Sequence, residues 1–302
     1  MSVAETFGKM LMILFAIAMG YLANRLRIFD AESDRKLTKL VLNITIPCMI
    51  LASVMTGEAL PELGTVLSVW KMMAVFYGVE VAFVLAVPPI LGGSAAQKGV
   101  WRFSLFFPNA MFIGYPVLEA LFGESAIFYA VMLTLPFNVL SYSMGPLMLG
   151  GFRRFSWRSL CTPCMISSVL SLLIVLLGIQ APPMAGRVLD FVGDLTAPLS
   201  LLVLGSILAG MPVGKVLTMP RIWIFAAFRL VIMAGAALLI LNCMGLDPVV
   251  MGVGVVVMAM PAAVNGVMIC MEYGGDSECM AQTIFVTTLL SMVTIPLIAI
   301  LL

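Results

Sequence analysis

Apolar runs of about 20 residues follow one another along the whole chain, and short segments with charged residues, glycine or proline separate them. A helix of about 20 apolar residues spans the hydrocarbon core of a bilayer. Hydrophobic residues make up 62% of the 302 residues and charged residues only 10%, against roughly 25% charged residues in a soluble domain. The pattern predicts a helical protein that crosses a membrane several times.

The polar interruptions divide the sequence into ten predicted membrane spans. These are 6–25, 38–56, 64–90, 102–122, 125–150, 161–178, 189–210, 221–243, 248–271 and 279–302. Of the 16 lysines and arginines, twelve fall in the loops on one side of these spans and two on the other. Because short cytoplasmic loops retain positive charge during insertion, we expect a cytoplasmic (inner) membrane protein with both termini on the non-cytoplasmic side.

Several function classes are disfavoured by composition. The net charge is only +1, which argues against nucleic-acid binding, and the chain contains no histidine. Without histidine, the common catalytic triads and histidine-ligated zinc sites are excluded. No set of nucleophile and base, and no cluster of metal ligands, is recognisable in the sequence. We therefore expect no enzyme activity, no metal and no cofactor.

Two sequence matches indicate an internal repeat. The segment 43–47 (NITIP) matches 194–198 (DLTAP) 151 positions later, and 122–125 (FGES) matches 274–277 (GGDS) 152 positions later. Each half then holds five spans, an odd number, so the second half enters the membrane from the opposite side. The prediction is two inverted repeats, 1–152 and 153–302, an architecture typical of secondary transporters.

Spans 4 and 9 each carry proline, glycine and asparagine near their centres. Proline removes a helical hydrogen bond, and freed backbone groups are tolerated inside a membrane only where protein or water satisfies them. Two half-helices meeting there would direct their positive ends at an anion. Ordinary proline kinks are the alternative interpretation. The predicted substrate-binding residues are Asn109, Gly114, Tyr115, Pro116, Pro261, Asn265 and Gly266.

Spans 2 and 7 contain a second pair of matching polar segments, which we interpret as supporting helix breaks. Their residues are Asn43 and Pro47 in span 2, and Asp194, Thr196 and Pro198 in span 7. Small polar residues also join packed membrane helices, so these segments either line the transport path or serve helix packing.

Glu80 and Arg229 are charged residues deep within spans 3 and 8. Each lies about eight or nine residues from the cytoplasmic end of its span, a depth of roughly 12–14 Å. Charged groups at such depth usually face the protein interior or water. We expect either an ion pair between these side chains or proton exchange by Glu80. Snorkelling to the membrane surface is the alternative.

Four segments carry a family signature. They are Asn109-x4-Gly114-x-Pro116 followed by residues 121–124, then residues 42–47, 197–205 and 272–276. Together they resemble the auxin efflux carrier family, which includes plant PIN-type carriers and bacterial malate and malonate permeases. In the ninth span, Asn265-Gly266 stands where PIN-type carriers have a proline, so bacterial permeases are the closer comparison.

The resemblance implies a ten-helix inverted-repeat fold in which interrupted helices 4 and 9 cross at the substrate site. Asn109, Gly114 and Pro116 match the fourth-helix crossing, and Asn265 and Gly266 the ninth. It also implies a scaffold of helices 1, 2, 6 and 7 that often dimerises, with an elevator-like movement of the other helices.

The expected function is secondary transport of a small organic anion, most simply a carboxylate, by alternating access in a lipid membrane. The coupling ion is left open between a proton and sodium, and a homodimer is an expectation of the resemblance. The alternative is a membrane receptor or sensor that binds a ligand on the same fold without transporting it.

Overall fold

The computed structural model describes residues 3–55, 63–150, 162–179, 182–210, 219–273 and 275–302. Within these ranges every regular element is helical, and a single isolated antiparallel bridge joins Pro108 to Ala262. The predicted all-helical class is therefore confirmed. Residues 153–158, which carry three arginines between the fifth and sixth predicted spans, and Gly274 of the repeat match lie outside the described residues.

The described residues form fifteen α-helices and three π-helical turns. The α-helices are α1 (Val3–Arg25), α2 (Ala31–Leu40), α3 (Ile46–Met55), α4 (Leu63–Leu91), α5 (Ala95–Phe106), α6 (Tyr115–Phe122), α7 (Ser125–Met148), α8 (Pro163–Leu176), α9 (Pro183–Gly193), α10 (Thr196–Gly210), α11 (Pro220–Ala227), α12 (Met233–Asn242), α13 (Pro248–Met258), α14 (Gly266–Tyr273) and α15 (Ser277–Leu301). The π-helical turns are Val41–Thr45, Ala110–Gly114 and Phe228–Ile232.

Five helical segments are long and apolar enough to cross a membrane. They are Ala31–Met55, Leu67–Leu91, Met184–Gly210, Pro220–Asn242 and Ser277–Leu301. Five shorter apolar helices accompany them, at Leu11–Arg25, Ala110–Phe122, Ser125–Phe137, Pro163–Leu176 and Pro248–Met258. Each of these ten segments overlaps one of the ten predicted spans.

The second predicted span begins too late. We predicted its start at residue 38, but the helix begins at Ala31. The preceding Asp30 accepts hydrogen bonds from the backbone N–H groups of Glu32 and Ser33, and the Ser33 hydroxyl caps Asp30 in return. This reciprocal capping starts a helix in a charged segment that hydropathy alone treats as a loop.

The chain divides into two compact units that each draw on both halves of the sequence. The first unit contains residues 1–70, 111–135 and 158–210, and the second contains 71–110, 136–157 and 211–302. Helices α1 to α3 and α8 to α10 belong to the first unit, and helices α11 to α15 belong to the second. The predicted fourth span is divided between them after Ala110.

In the first unit, α1 packs against α10 with backbone in direct contact. A Cβ atom added to Gly20 would overlap the carbonyl group of Leu202, and one added to Gly205 would overlap the carbonyl oxygen of Ile17. Glycine is required at these positions because no side chain fits between the helices.

The supporting breaks predicted in spans 2 and 7 coincide with irregular backbone in the first unit. Pro47 cannot donate to the carbonyl of Asn43, and the π-helical turn Val41–Thr45 lies at this point. The Asn43 amide donates to Lys39 O at 2.7 Å. In span 7, α9 ends at Gly193 and α10 begins at Thr196.

The remaining residues of that set differ in exposure. Asp194 and Pro198 are exposed, whereas Thr196 is fully buried. The Thr196 hydroxyl has no hydrogen-bond partner among the described residues. Asn43 lies in the π-helical turn and Asp194 lies between α9 and α10, whereas Pro47, Thr196 and Pro198 lie in the first turns of α3 and α10. The place of these residues on a transport path stays a prediction.

Candidate functional site

The break in the predicted fourth span lies in the second unit, directly after α5. The helix ends at Phe106, and Phe107 is extended (φ −114°, ψ 95°). Pro108 causes this local change, because it lacks an N–H group for the preceding turn and favours extended backbone at the residue before it. The extended segment is buried, with Phe107 0% and Asn109 4% exposed.

The ninth span is broken in the same unit and pairs with the fourth. After α13 ends at Met258, Pro261 interrupts the helical pattern. The N–H of Asn109 donates to Pro261 O at 2.8 Å, and the N–H of Ala263 donates to Phe107 O at 3.0 Å. These two bonds flank the bridge between Pro108 and Ala262. Each break therefore supplies a hydrogen-bond partner to the backbone of the other, as backbone inside a membrane requires.

The break in the fourth span leaves one backbone carbonyl without its helical hydrogen-bond partner, and a side chain donates to that carbonyl instead. In an unbroken helix, Leu105 O would accept from the N–H of Asn109, but that N–H is bonded to Pro261. The Arg229 guanidinium donates instead, from Nη1 to Leu105 O at 3.1 Å. Arg229 thus caps the end of α5 with a positive charge, where the helix dipole is negative.

A second side chain supports the ninth-span break. The backbone N–H of Ala262 donates to the hydroxyl of Thr287 on α15 at 3.2 Å. That hydroxyl itself donates to Thr283 O at 2.7 Å. Ala262 and Thr287 are both 0% exposed, so water does not reach this N–H from the surface.

Two of the predicted asparagines have a buried side-chain atom that makes no hydrogen bond within the described residues. Asn109 Nδ2, a donor, and Asn265 Oδ1, an acceptor, are buried and have no hydrogen-bond partner in the described part of the chain. Buried amide groups are normally hydrogen-bonded, so unpaired ones next to a backbone break are candidates for contact with a polar ligand.

Gly266, the first residue of α14, is closely surrounded. A Cβ atom there would lie 2.9 Å from Met280 Sδ and 2.9 Å from Phe103 Cε1. Asn265 and Gly266, predicted as the ninth-helix crossing, follow the bridge at Ala262 by three and four residues. Their role in a crossing stays a prediction.

Three further predicted binding residues belong to the first unit. Gly114 and Pro116 flank the start of α6, and Tyr115 is 0% exposed. The Tyr115 hydroxyl lies 2.7 Å from Thr134 Oγ1, which donates to Ala130 O. The structure therefore groups Asn109, Pro261, Asn265 and Gly266 in one unit, and Gly114, Tyr115 and Pro116 in the other.

Thr287 is the site residue that sequence reasoning missed. The signal was present: Thr283, Thr287 and Ser291 recur every fourth residue within an apolar span, which places them on one face of the helix. All three are buried. A polar stripe inside a membrane helix faces protein rather than lipid.

The sequence matches a known protein family over nearly its whole length. The model of a family described as membrane transport protein matches residues 6–153 and 151–299. This chain belongs to that family. The match confirms the resemblance to auxin efflux carriers.

Relatives of this family member span nearly its whole length. An uncharacterized transporter of Methanothermobacter thermautotrophicus is 24% identical over 296 residues, covering 95% of each chain. An uncharacterized transporter of Methanocaldococcus jannaschii is 23% identical over 300 residues, covering 95% of this chain and 96% of the relative. A protein of Rhizobium meliloti, provisionally named a malonate transporter, is 24% identical over 308 residues, covering 97% of this chain and 94% of the relative.

Proposed function

We propose that this membrane transport protein is a secondary transporter of a small carboxylate, working by alternating access. The observation that carries the proposal is the pair of helix breaks that bond to each other beside the unpaired amide of Asn109. Discontinuous helices of this kind form substrate sites in secondary transporters. Membership of a transport family and the similarity to a provisionally named malonate transporter support an organic anion.

The proposed ligand contacts follow from the chemistry of the free groups. Asn109 Nδ2 donates to a carboxylate oxygen, and the N-terminal end of α14, beginning at Gly266, adds partial positive charge. Asn265 Oδ1 accepts from a hydroxyl or a protonated carboxyl group of the same ligand. A dicarboxylate with one neutral end, or a hydroxycarboxylate, offers both.

The proposal includes an architecture. Ten membrane helices form two inverted repeats, 1–152 and 153–302, in the cytoplasmic membrane with both termini on the non-cytoplasmic side. The two family-model matches, 6–153 and 151–299, divide the chain at the same place and support this arrangement. Substrate contact by Gly114, Tyr115 and Pro116, and dimerisation, remain predictions from the sequence.

The test is reconstitution in liposomes and exchange of labelled malonate, malate and monocarboxylates. The wild type is compared with Asn109→Ala and with Asn242→Ala, a matched change at an exposed asparagine ending α12. Saturable exchange that is lost in Asn109→Ala and kept in Asn242→Ala supports the proposal. Ligand binding without flux would favour the receptor alternative, and no flux of any anion would overturn the transport proposal.

A further inference from the structure

Two opposite charges are fully buried in the second unit without direct contact. Glu80 of α4 and Arg229 of the π-helical turn Phe228–Ile232 are both 0% exposed. They act on each other electrostatically, but the only ion pair within 4.0 Å among the described residues is Lys36 with Glu32. Arg229 therefore does not snorkel to a surface, and the pair is separated by more than a contact distance.

Most side-chain polar atoms of Glu80 and Arg229 make no hydrogen bond within the described residues. Both carboxylate oxygens of Glu80, and Nε and Nη2 of Arg229, lack a hydrogen-bond partner within the described ranges. An ionised carboxylate is poorly tolerated in such a place, because burial without hydrogen bonds disfavours the charged form. Intramembrane carboxylates of this kind typically mark proton relays.

Arg229 connects this carboxyl group to the helix break. Its Nη1 donates to Leu105 O at 3.1 Å, and Leu105 precedes Asn109 by one helical turn. Position 229 lies in a π-helical turn, a local irregularity that is often found at functional positions. The guanidinium thus has two competing partners: the carbonyl that it contacts and the carboxylate that attracts it.

We infer that Glu80 is the proton-binding site of this carrier, and that Arg229 is the positioning residue that transmits its charge state to the fourth-span break. A proton from water adds to one carboxylate oxygen and leaves a neutral carboxyl group, while Arg229 stays protonated. With Glu80 ionised, the guanidinium is drawn away from Leu105; with Glu80 neutral, it caps Leu105 fully. Protonation therefore changes how firmly the backbone before Asn109 is held.

Arg229 is the charged group that acts on Glu80 among the described residues, and Glu80 is the one that acts on Arg229. The inference rests on the proposed transport function, which it deepens by naming the coupling ion.

The first experiment measures exchange of labelled malonate in liposomes across a pH series. The rate of the wild type is expected to change more steeply with pH than the rate of Glu80→Gln, a permanently neutral analogue, which keeps only the pH dependence caused by protonation of malonate itself. The matched control is Glu32→Gln, which alters an exposed carboxylate paired with Lys36 and keeps the wild-type profile. A Glu80→Gln protein with the wild-type pH profile would overturn the inference.

Variants of Arg229 test its positioning role. Arg229→Lys keeps the charge and a donor, so we expect part of the pH dependence to survive with a raised KM. Arg229→Met loses both and leaves Glu80 without its counter-charge, which threatens folding. The double variant Glu80→Leu/Arg229→Met removes both charges and is expected to fold, to bind malonate more weakly and to keep only the pH dependence caused by protonation of malonate itself. Wild-type KM and pH profile in the double variant would contradict the inference.

A readout without transport separates the inference from the proposed function. Infrared titration of the purified protein detects the carbonyl stretch of a protonated carboxyl group, and the band of Glu80 is expected in the wild type and absent in Glu80→Gln. If the wild type moves no anion but this band titrates, the transport proposal fails and the proton site stands. If malonate exchange occurs and no band is lost in Glu80→Gln, the proton site is refuted.

Discussion

Substitution of Thr287 by valine tests whether a side chain supports the ninth-span break. Valine has nearly the same shape as threonine, so Thr287→Val removes the hydroxyl that accepts from the N–H of Ala262 at 3.2 Å and leaves the packing in place. Both residues are 0% exposed, and the N–H has no surface water to replace the hydroxyl. An unsatisfied buried donor is therefore created.

The expected loss in the free energy of unfolding follows from the backbone donor that Thr287→Val leaves unpaired. Leaving a buried backbone donor unsatisfied costs about 1–3 kcal/mol. Interhelical side-chain hydrogen bonds in membrane proteins contribute only ~0.6 kcal/mol on average, because their partners find other acceptors. The N–H of Ala262 lies at a proline break where the helical acceptor pattern has ended, so we expect the larger value for Thr287→Val.

Thr283→Val is the matched control on the same helix. The Thr283 hydroxyl is equally buried, but it donates to Cys279 O within α15 at 2.7 Å and not to a backbone group of either break. That carbonyl sits inside a regular helix and keeps its backbone partner, so the expected loss is below about 0.6 kcal/mol. The difference between the two variants isolates the bond to Ala262.

The assay is unfolding in detergent micelles, followed by tryptophan fluorescence. Trp101 is a suitable reporter because it is 1% exposed and stacks on Phe225 within the second unit. We expect a lower unfolding free energy and weaker malonate exchange in Thr287→Val than in Thr283→Val. Equal stability of the two variants would refute the reasoning, since it would mean that Ala262 does not depend on Thr287.

Three further substitutions give distinct outcomes. Asn109→Ala is expected to abolish exchange while lowering the unfolding free energy by no more than about 1 kcal/mol, because the lost Nδ2 has no partner among the described residues; unfolding and exchange are measured on the same sample. In Gly266→Leu, the added Cβ would lie 2.9 Å from two neighbouring side-chain atoms, so we expect exchange to be lost while membrane insertion stays intact. Gly235→Leu is the control, because a Cβ added at Gly235 has no atom within 4 Å among the described residues, and this variant should retain exchange. Gly20→Ala should destabilise the first unit by about 1–3 kcal/mol, seen as a lower melting temperature, and Gly8→Ala on the same helix should not.

Part of the candidate site was predictable because proline acts on its own neighbourhood. Pro108 and Pro261 lack the N–H that a helix needs, so both breaks follow from the sequence wherever the spans are recognised. The bridge between Pro108 and Ala262 was not predicted, because which residues of the two breaks pair depends on how the helices pack.

Which residues hydrogen-bond to the broken backbone was not predictable, because these bonds join residues that are far apart in the chain. The equal depths of Glu80 and Arg229 suggested a pair, but the sequence contains nothing that directs Arg229 to Leu105, 124 positions away. The same holds for Thr287 and Ala262, which are separated by 25 positions. Such bonds form only after the helices have packed.

The amino-acid sequence by itself determined that this protein is helical and apolar enough for a membrane, and where its helices are interrupted, since hydropathy and the missing N–H of proline are properties of single residues and short runs. The tertiary structure decided how the chain is shared between two compact units and which atoms satisfy the broken backbone. The physical reason is that a freed backbone group inside a membrane must find a partner, and packing alone determines which distant residue supplies it.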